Sequence, residues 1–372
     1  MRSLLLVPLL LGCNQYDLFR VTGFQQEAFT NDADVLFVVD NSGSMVEENE
    51  ALGDNFEVFI SELAAEQGTA TSDGLVDAVD NYIEFASRRT TFIDFHIGVT
   101  STDAGATYGG LFGSNPVIEF GEPDVVEAFQ EATDEANQIG GSGNEEGLEA
   151  VFMAMCRAAP EPPEPCFEEV NQFTEEDILS NDGLLRRNSA FVPVIVSDEG
   201  DVSRRKDGDG DDLPDEYDRL YRLFGQRMAW AVIGPQAGIC NFETPVPDWT
   251  ADRYRYFVDE TDGIWVNIAE EDQDCAVTDF AAALQEIGEL VNRLLESFPL
   301  QAVPDPETIL VFVDGKEVDR AAGDGQGGFT DGWSYDADDN AVRFHGTAVP
   351  DYNAKVRIYY LPISGMPRDL PF

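Results

Sequence analysis

The stretch that most limits what this chain can fold into is Val35-Leu36-Phe37-Val38-Val39, followed at once by Asp40-Asn41-Ser42-Gly43-Ser44-Met45. An apolar, mostly β-branched or aromatic run that ends in a turn predicts a strand buried on both faces, as in a parallel sheet. The turn emerges at the strand's carboxyl end, the edge at which open α/β sheets bind ligands. It presents a carboxylate at Asp40 and hydroxyls at Ser42 and Ser44, with Gly43 allowing a tight bend. Oxygens of this kind suit a hard divalent cation, and the same residues would also cap a following helix.

The D-x-S-x-S arrangement, read within "DVLFVVDNSGSM" ahead of a long helix, resembles the metal-ion-dependent adhesion site of von Willebrand factor type A domains. The resemblance spans roughly residues 33–297 and implies a Rossmann-like α/β fold, a doubly wound and mainly parallel sheet. Phe191 to Asp198 is similar to the family strand whose terminal aspartate completes the site. Gly140 to Ala150 resembles the glycine-rich loop from which the family supplies a threonine hydroxyl. Counting back from Gly147 puts Asn144 at the threonine position, so Asn144 or Ser142 is expected to stand in for it. By this resemblance Ser42 and Ser44 bind Mg²⁺ or Mn²⁺ directly, and Asp40 and Asp198 hold metal-bound waters. An open coordination position then attracts an exposed acidic side chain of a protein ligand, in keeping with the octahedral habit of Mg²⁺.

Acidic residues outnumber basic ones 72 to 22, a formal net charge of -50. Such a surface attracts cations and argues against nucleic acid as a partner. With lysine only at 206, 316 and 355, it also has the look of adaptation to salt. His96 lies within the expected strand Phe92 to Thr100 and is read as packed or hydrogen-bonded; His345 has no evident nucleophile beside it. The sequence holds no HExxH, G-x-S-x-G or phosphate-binding glycine loop, and no enzyme is expected. Two alternatives remain open: a metal-assisted hydrolase built on Asp40, Asp198, Glu199 and Asp201, and a calcium-stabilised structural envelope protein with a degenerate site.

At the amino end Arg2 precedes the mostly apolar run Leu4 to Leu11. As a helix these residues would cover about 12 Å of a hydrocarbon layer about 30 Å thick, so residues 1–12 read as a secretory signal rather than a span. Leu10-Leu11-Gly12-Cys13 resembles a bacterial lipobox, which implies a lipid on Cys13, anchorage in the cell envelope and a linker over residues 13–32. Asn14 after the cysteine favours the outer membrane by the same resemblance.

The other cysteines are Cys156, Cys166, Cys240 and Cys275, an even number suited to an oxidising space. Three connectivities are possible, of which Cys156 with Cys166 and Cys240 with Cys275 is favoured. Asp207, Asp209, Asp211, Asp215 and Asp218 follow the carboxylate spacing of a calcium-binding loop, inserted at 207–218, although Asp212 replaces the usual glycine and Asp218 the usual glutamate. Helices are expected near 75–86, 124–138 and 280–294, and strands at Gly109 to Phe120, Met228 to Gly234 and Trp265 to Ile268. From Phe298 onward short apolar runs split by Gly and Asp turns predict a small all-β, sandwich-like domain over 298–372.

Overall fold

The computed structural model describes residues 25–30, 32–64, 94–141, 144–187, 189–205, 214–235, 248–270, 276–277, 279–300, 302–323, 329–337, 340–350 and 354–363. The main sheet is built on β2 (Asp32–Val39), every residue of which is buried. On one side β2 runs parallel to β3 (Asp94–Ser101), which carries the short antiparallel edge β4 (Ile118–Glu119). On the other side it runs parallel to β5 (Ala190–Val196), beyond which lie β6 (Arg227–Met228), β7 (Ala231–Gly234) and β8 (Ile264–Asn267). The order β4-β3-β2-β5-β7-β8 has the chain build to one side of β2 and then restart on its other side at β5. The crevice outside the carboxyl ends of β2 and β5 is therefore the topological switch point, where doubly wound sheets bind ligands.

Helices cover both faces because alternate residues of a strand point to opposite sides. Val35, Phe37 and Val39 pack with α1 (Val46–Asp54), α2 (Phe56–Ala64), α4 (Val125–Ile139) and α8 (Phe280–Glu296). Leu36 and Val38 face α5 (Gly147–Ala158), α6 (Asp215–Arg222) and α7 (Asp248–Glu260), with the one-turn α3 (Ala104–Thr107) at the rim. The Phe37 ring meets Phe129 edge-on at 4.9 Å, and Phe129 stacks on Phe56 at 3.7 Å. Aromatic pairs of this kind add about 0.5–1.5 kcal/mol each beyond their buried area. At the opposite, amino edge of the sheet the fully buried Asp34 is held by Arg186 at 2.7 Å.

Several expected elements differ in detail. Of Gly109 to Phe120 only Ile118–Glu119 is a strand. The chain turns before it, with Tyr108 and Gly109 at φ 49° and 70°, and a Cβ on Gly109 would lie 2.3 Å from Ala154 N. Met228 to Gly234 is two strands rather than one, because the Trp230 N–H is taken by Thr261 Oγ1 at 3.1 Å. Leu223 follows the end of α6 and is 55% exposed. A small hairpin of β9 (Ala269–Glu270) and β10 (Ala276–Val277) follows β8. The expected bridge between Cys156 and Cys166 forms, with Cα atoms 5.7 Å apart.

The carboxyl-terminal unit is a small sandwich, as the sequence predicts, but it begins before the main sheet. Residues 13–32 read as a linker, yet β1 (Gln25–Thr30) pairs antiparallel with β16 (Lys355–Tyr360) from Gln25↔Tyr360 to Thr30↔Lys355. These join β12 (Leu310–Val313) and β13 (Lys316–Val318) in a sheet ordered β1-β16-β12-β13. Asp314 and Gly315, both at positive φ (50° and 78°), make the tight turn between β12 and β13. The second sheet, β11 (Ser297–Pro299), β15 (Ala341–His345) and β14 (Gly332–Asp336), packs on the first through Phe298, Val311, Trp333, Val342, Phe344, Val356 and Ile358.

The main domain is thus an insertion in the β domain, and both crossings meet at Arg227. Its buried guanidinium donates to Thr30 O (3.3 Å), Leu294 O (3.2 Å) and Ser297 O (3.0 Å) and lies 4.8 Å from the centre of the Phe298 ring. Residues 1–24 with the expected signal and Cys13, residues 75–86, Ser142, Asp207, Asp209, Asp211, Cys240 and Cys275 lie outside the described residues. Among the described residues no helix is long and apolar enough to cross a membrane.

Candidate metal centre

Asp40 leaves β2 with its N–H bonded to Val196 O of β5 at 2.8 Å, so the two strand ends are tied at the switch point. Its Oδ1 accepts the Ser42 N–H at 2.8 Å, the turn that short acidic side chains make with their own backbone. Its Oδ2 accepts from Ser197 Oγ at 2.7 Å, and Asn49 of α1 donates to its backbone carbonyl at 2.7 Å. Ser42 Oγ and Ser44 Oγ are 2.9 Å apart. That is a hydrogen-bond distance, and also the spacing of two adjacent ligands on an octahedral Mg²⁺ with bonds of about 2.0–2.1 Å. The glycine-rich loop closes on this turn: Gly141 N–H donates to Asn41 O at 2.8 Å, and a Cβ on Gly141 would sit 2.8 Å from Asn41 C and Ser42 N.

Asp198 follows β5 and is half-buried, with Oδ1 unpartnered. Asn144, expected in place of threonine, is exposed. The next residue, Glu145, turns inward instead and is 1% exposed. Its Oε2 accepts from Thr102 Oγ1 at the end of β3, its backbone carbonyl accepts the Val202 N–H at 2.8 Å, and its Oε1 is unpartnered. Sequence reasoning passed over Glu145 because counting by family pattern stops one residue earlier. The usable signal was the acidic pair Glu145-Glu146 just before the α5 start at Gly147, in a loop otherwise made of Gly, Ser and Asn.

Burial pushes the Asp40 carboxyl above its usual range, with Ser197 and Ser42 opposing and the Asp198 charge adding to it. Glu145 is pushed up to about 8, first by burial and next by the Asp40 charge. Glu199 rises through burial and the charges of Asp40 and Asp198, and Glu48 through burial, with Asp198 again adding. These carboxylates therefore lie within reach of one another's charge and repel one another. Hard oxygens with uncompensated negative charge and unpaired buried atoms are a donor set that fits a divalent cation. Among the described residues no three His, Cys, Asp or Glu side chains are close enough to hold a metal by themselves, so the hydroxyls of Ser42 and Ser44 belong to any such set.

Asp201 is not part of this cluster. Wholly buried, it bonds the Leu148 N–H and Ser203 and pairs with Arg253 at 3.0 Å, holding the start of α5 in place. Of the calcium-loop residues, Asp215 and Asp218 stand in the first turn of α6, where Asp218 pairs with Arg222 at 2.9 Å. His96 is held by a hydrogen bond from Nδ1 to Gly183 O at 2.5 Å, the carbonyl being able only to accept. His345 does have a hydroxyl neighbour, contrary to expectation. Ser334 Oγ lies 2.7 Å from its Nε2 across β14 and β15, with Phe329 stacked on the ring at 4.4 Å.

Fold and edge together define a doubly wound α/β protein carrying a mixed hydroxyl and carboxylate cluster at its switch point. No family model and no curated protein matches the sequence. Similar solved structures include a von Willebrand factor type A protein from Catenulispora acidiphila at 11% identity and TM-score 0.36, covering 92% of this chain and 66% of that one. Proximal thread matrix protein 1 of the mussel byssus is similar at 11% identity and TM-score 0.36, covering 75% and 52%. The pilus adhesin SpaC of Lactobacillus rhamnosus GG gives 11% and 0.36, covering 94% and 42%. The chain thus spans from 42% to 66% of the length of these structures. At identities and scores of this size, ligand and partner have to be read from the chain's own residues.

Proposed function

We propose that this chain is a lipid-anchored protein of the bacterial cell envelope, at the outer membrane, that binds a protein ligand through a divalent cation at the carboxyl edge of its main sheet. The observation that carries the reading is the meeting of Asp40, Ser42 and Ser44 with Asp198 at the switch point, all oxygen donors and one carboxylate oxygen unpartnered. When bound, Mg²⁺ or Mn²⁺ supplies an electrophile that an acidic side chain of the partner can approach. The chain's own part is to orient oxygens. Ser42 and Ser44 offer neutral donors, while Asp40 and Asp198 bring charge and hold water.

Exposed aliphatic side chains ring the same edge: Val46 (37%) at the start of α1, Ile139 (49%) at the end of α4 and Val202 (37%) beside Glu145. They offer a partner apolar contact around the polar centre. The β domain lies at the other end of β2, since β1 ends at Thr30 and β2 begins at Asp32. An anchor at Cys13 would therefore keep the β domain toward the membrane and the candidate centre away from it. The loop 207–218 is proposed as a separate Ca²⁺ site using Asp207, Asp209, Asp211, Asp215 and Asp218, a reading supported by Asp215 and Asp218 opening a helix as the spacing requires.

The test is calorimetric titration of Mg²⁺, Mn²⁺ and Ca²⁺ into the wild type, Ser42→Ala, and the double variant Asp209→Ala, Asp211→Ala. Ser42→Ala is expected to lose the Mg²⁺ or Mn²⁺ site alone, and the double variant one Ca²⁺. Retention of Mg²⁺ and Mn²⁺ by Ser42→Ala would end the adhesion-site reading.

A further inference from the structure

The protein treats its buried carboxylates in two ways. Asp34, Glu149 and Asp201, each 0% exposed, are paired with Arg186 (2.7 Å), Arg205 (3.1 Å) and Arg253 (3.0 Å). Asp40 and Glu145 are as deeply buried, at 0% and 1%, but the largest charge effects on Glu145 come from Asp40, Glu199 and Asp103, all of its own sign. A buried carboxylate with no counter-charge is costly, by several kcal/mol in typical proteins. A positive charge belongs between the ends of β2, β3 and β5.

Of these two fully buried carboxylates, the one that would touch it follows from the hydrogen bonds already made. Both Asp40 oxygens are occupied, by Ser42 N–H and Ser197 Oγ. Glu145 has one oxygen on Thr102 and the other, Oε1, free of any partner although buried. We propose that Glu145 Oε1 is a direct ligand of the divalent cation, a carboxylate where the type A resemblance expects a neutral threonine hydroxyl. The proposal rests on the metal-site reading above. Its consequence is a shell richer by one negative charge, so that the chain retains the ion without a partner and an acidic partner group gains less from it.

Mn²⁺ titration of the purified full chain, followed by calorimetry and by the paramagnetic resonance of free Mn²⁺, tests this in wild type, Glu145→Gln and Ser42→Ala. Thermal unfolding with chelator present is recorded for each. Glu145→Gln is expected to weaken Mn²⁺ binding about 10- to 100-fold, at least the loss typical of removing a residue that supports a metal ligand. In chelator it is expected to unfold at a higher temperature than wild type, because it removes a carboxyl whose ionised form has no counter-charge in the fold. If Glu145→Gln binds Mn²⁺ as wild type does while Ser42→Ala does not, this proposal is overturned and the metal site stands. If Glu145→Gln lowers both affinity and metal-free stability, the glutamate is structural and the proposal is again overturned. If the wild type binds no Mn²⁺, the metal-site reading falls and takes the proposal with it.

Discussion

Ser197 Oγ donates to Asp40 Oδ2 at 2.7 Å, joining the end of β5 to the end of β2 across the switch point. The bond places Asp198, the next residue, beside the first loop, so it aligns the two halves of the candidate centre. Ser197→Ala leaves a buried carboxylate oxygen unpaired. In the metal-free protein this is expected to cost about 1–3 kcal/mol, the usual penalty for an orphaned buried acceptor. Urea denaturation measures it, and an unchanged midpoint would show that the oxygen finds another donor.

The guanidinium of Arg227 serves carbonyls of both chain crossings between the domains. Burial brings its pKa down to about 10, still well above neutrality, so it stays charged there. Arg227→Met keeps the bulk and removes the donors, with an expected loss of about 1–3 kcal/mol, the penalty for leaving buried carbonyl acceptors without a donor. Denaturant unfolding should show the loss, and hydrogen exchange should show faster opening around Ser297 than around Val35.

Stability in the absence of divalent cations should fall as pH rises. Glu145 has a carboxyl raised from 4.5 to about 8 by burial and by the Asp40 charge. Its folded form holds the proton more tightly than its unfolded form. The stability it confers is complete below the unfolded value of about 4.5 and is lost as pH climbs to about 8. Thermal unfolding in chelator from pH 5 to pH 8 should show a declining midpoint, with a shallower decline in Glu145→Gln. A midpoint that rises over this range would contradict the assignment.

Removing residues 1–31 takes β1 away from β16 and bares the backbone of Lys355–Tyr360. An uncovered strand edge is a template for pairing with another chain. The truncated protein is expected to self-associate in sedimentation experiments and to exchange the amide hydrogens of 355–360 faster, with the main sheet unaffected. A monomer with protected amides there would mean that β1 is dispensable.

Local pattern made the central strand, the acid and hydroxyl turn behind it, the helices at 125–139 and 280–296 and the strands from Leu310 onward legible, because burial on both faces, helical period and turn chemistry are written within short windows. The short Cys156–Cys166 loop was legible for the same reason. What needed tertiary structure was every relationship between distant segments. Gln25–Thr30 carries no sign of the strand it pairs with some 330 residues later, an order-of-magnitude separation that no local window spans. Asn144 and Glu145 are adjacent polar residues in one loop, and only the packing of that loop against Asn41 and Thr102 decides which of them points inward. Sequence alone thus determined which chemical groups sit at the end of β2. The fold decided which others meet them and which buried charges go without a partner, because burial and proximity belong to the packed chain and not to any one residue.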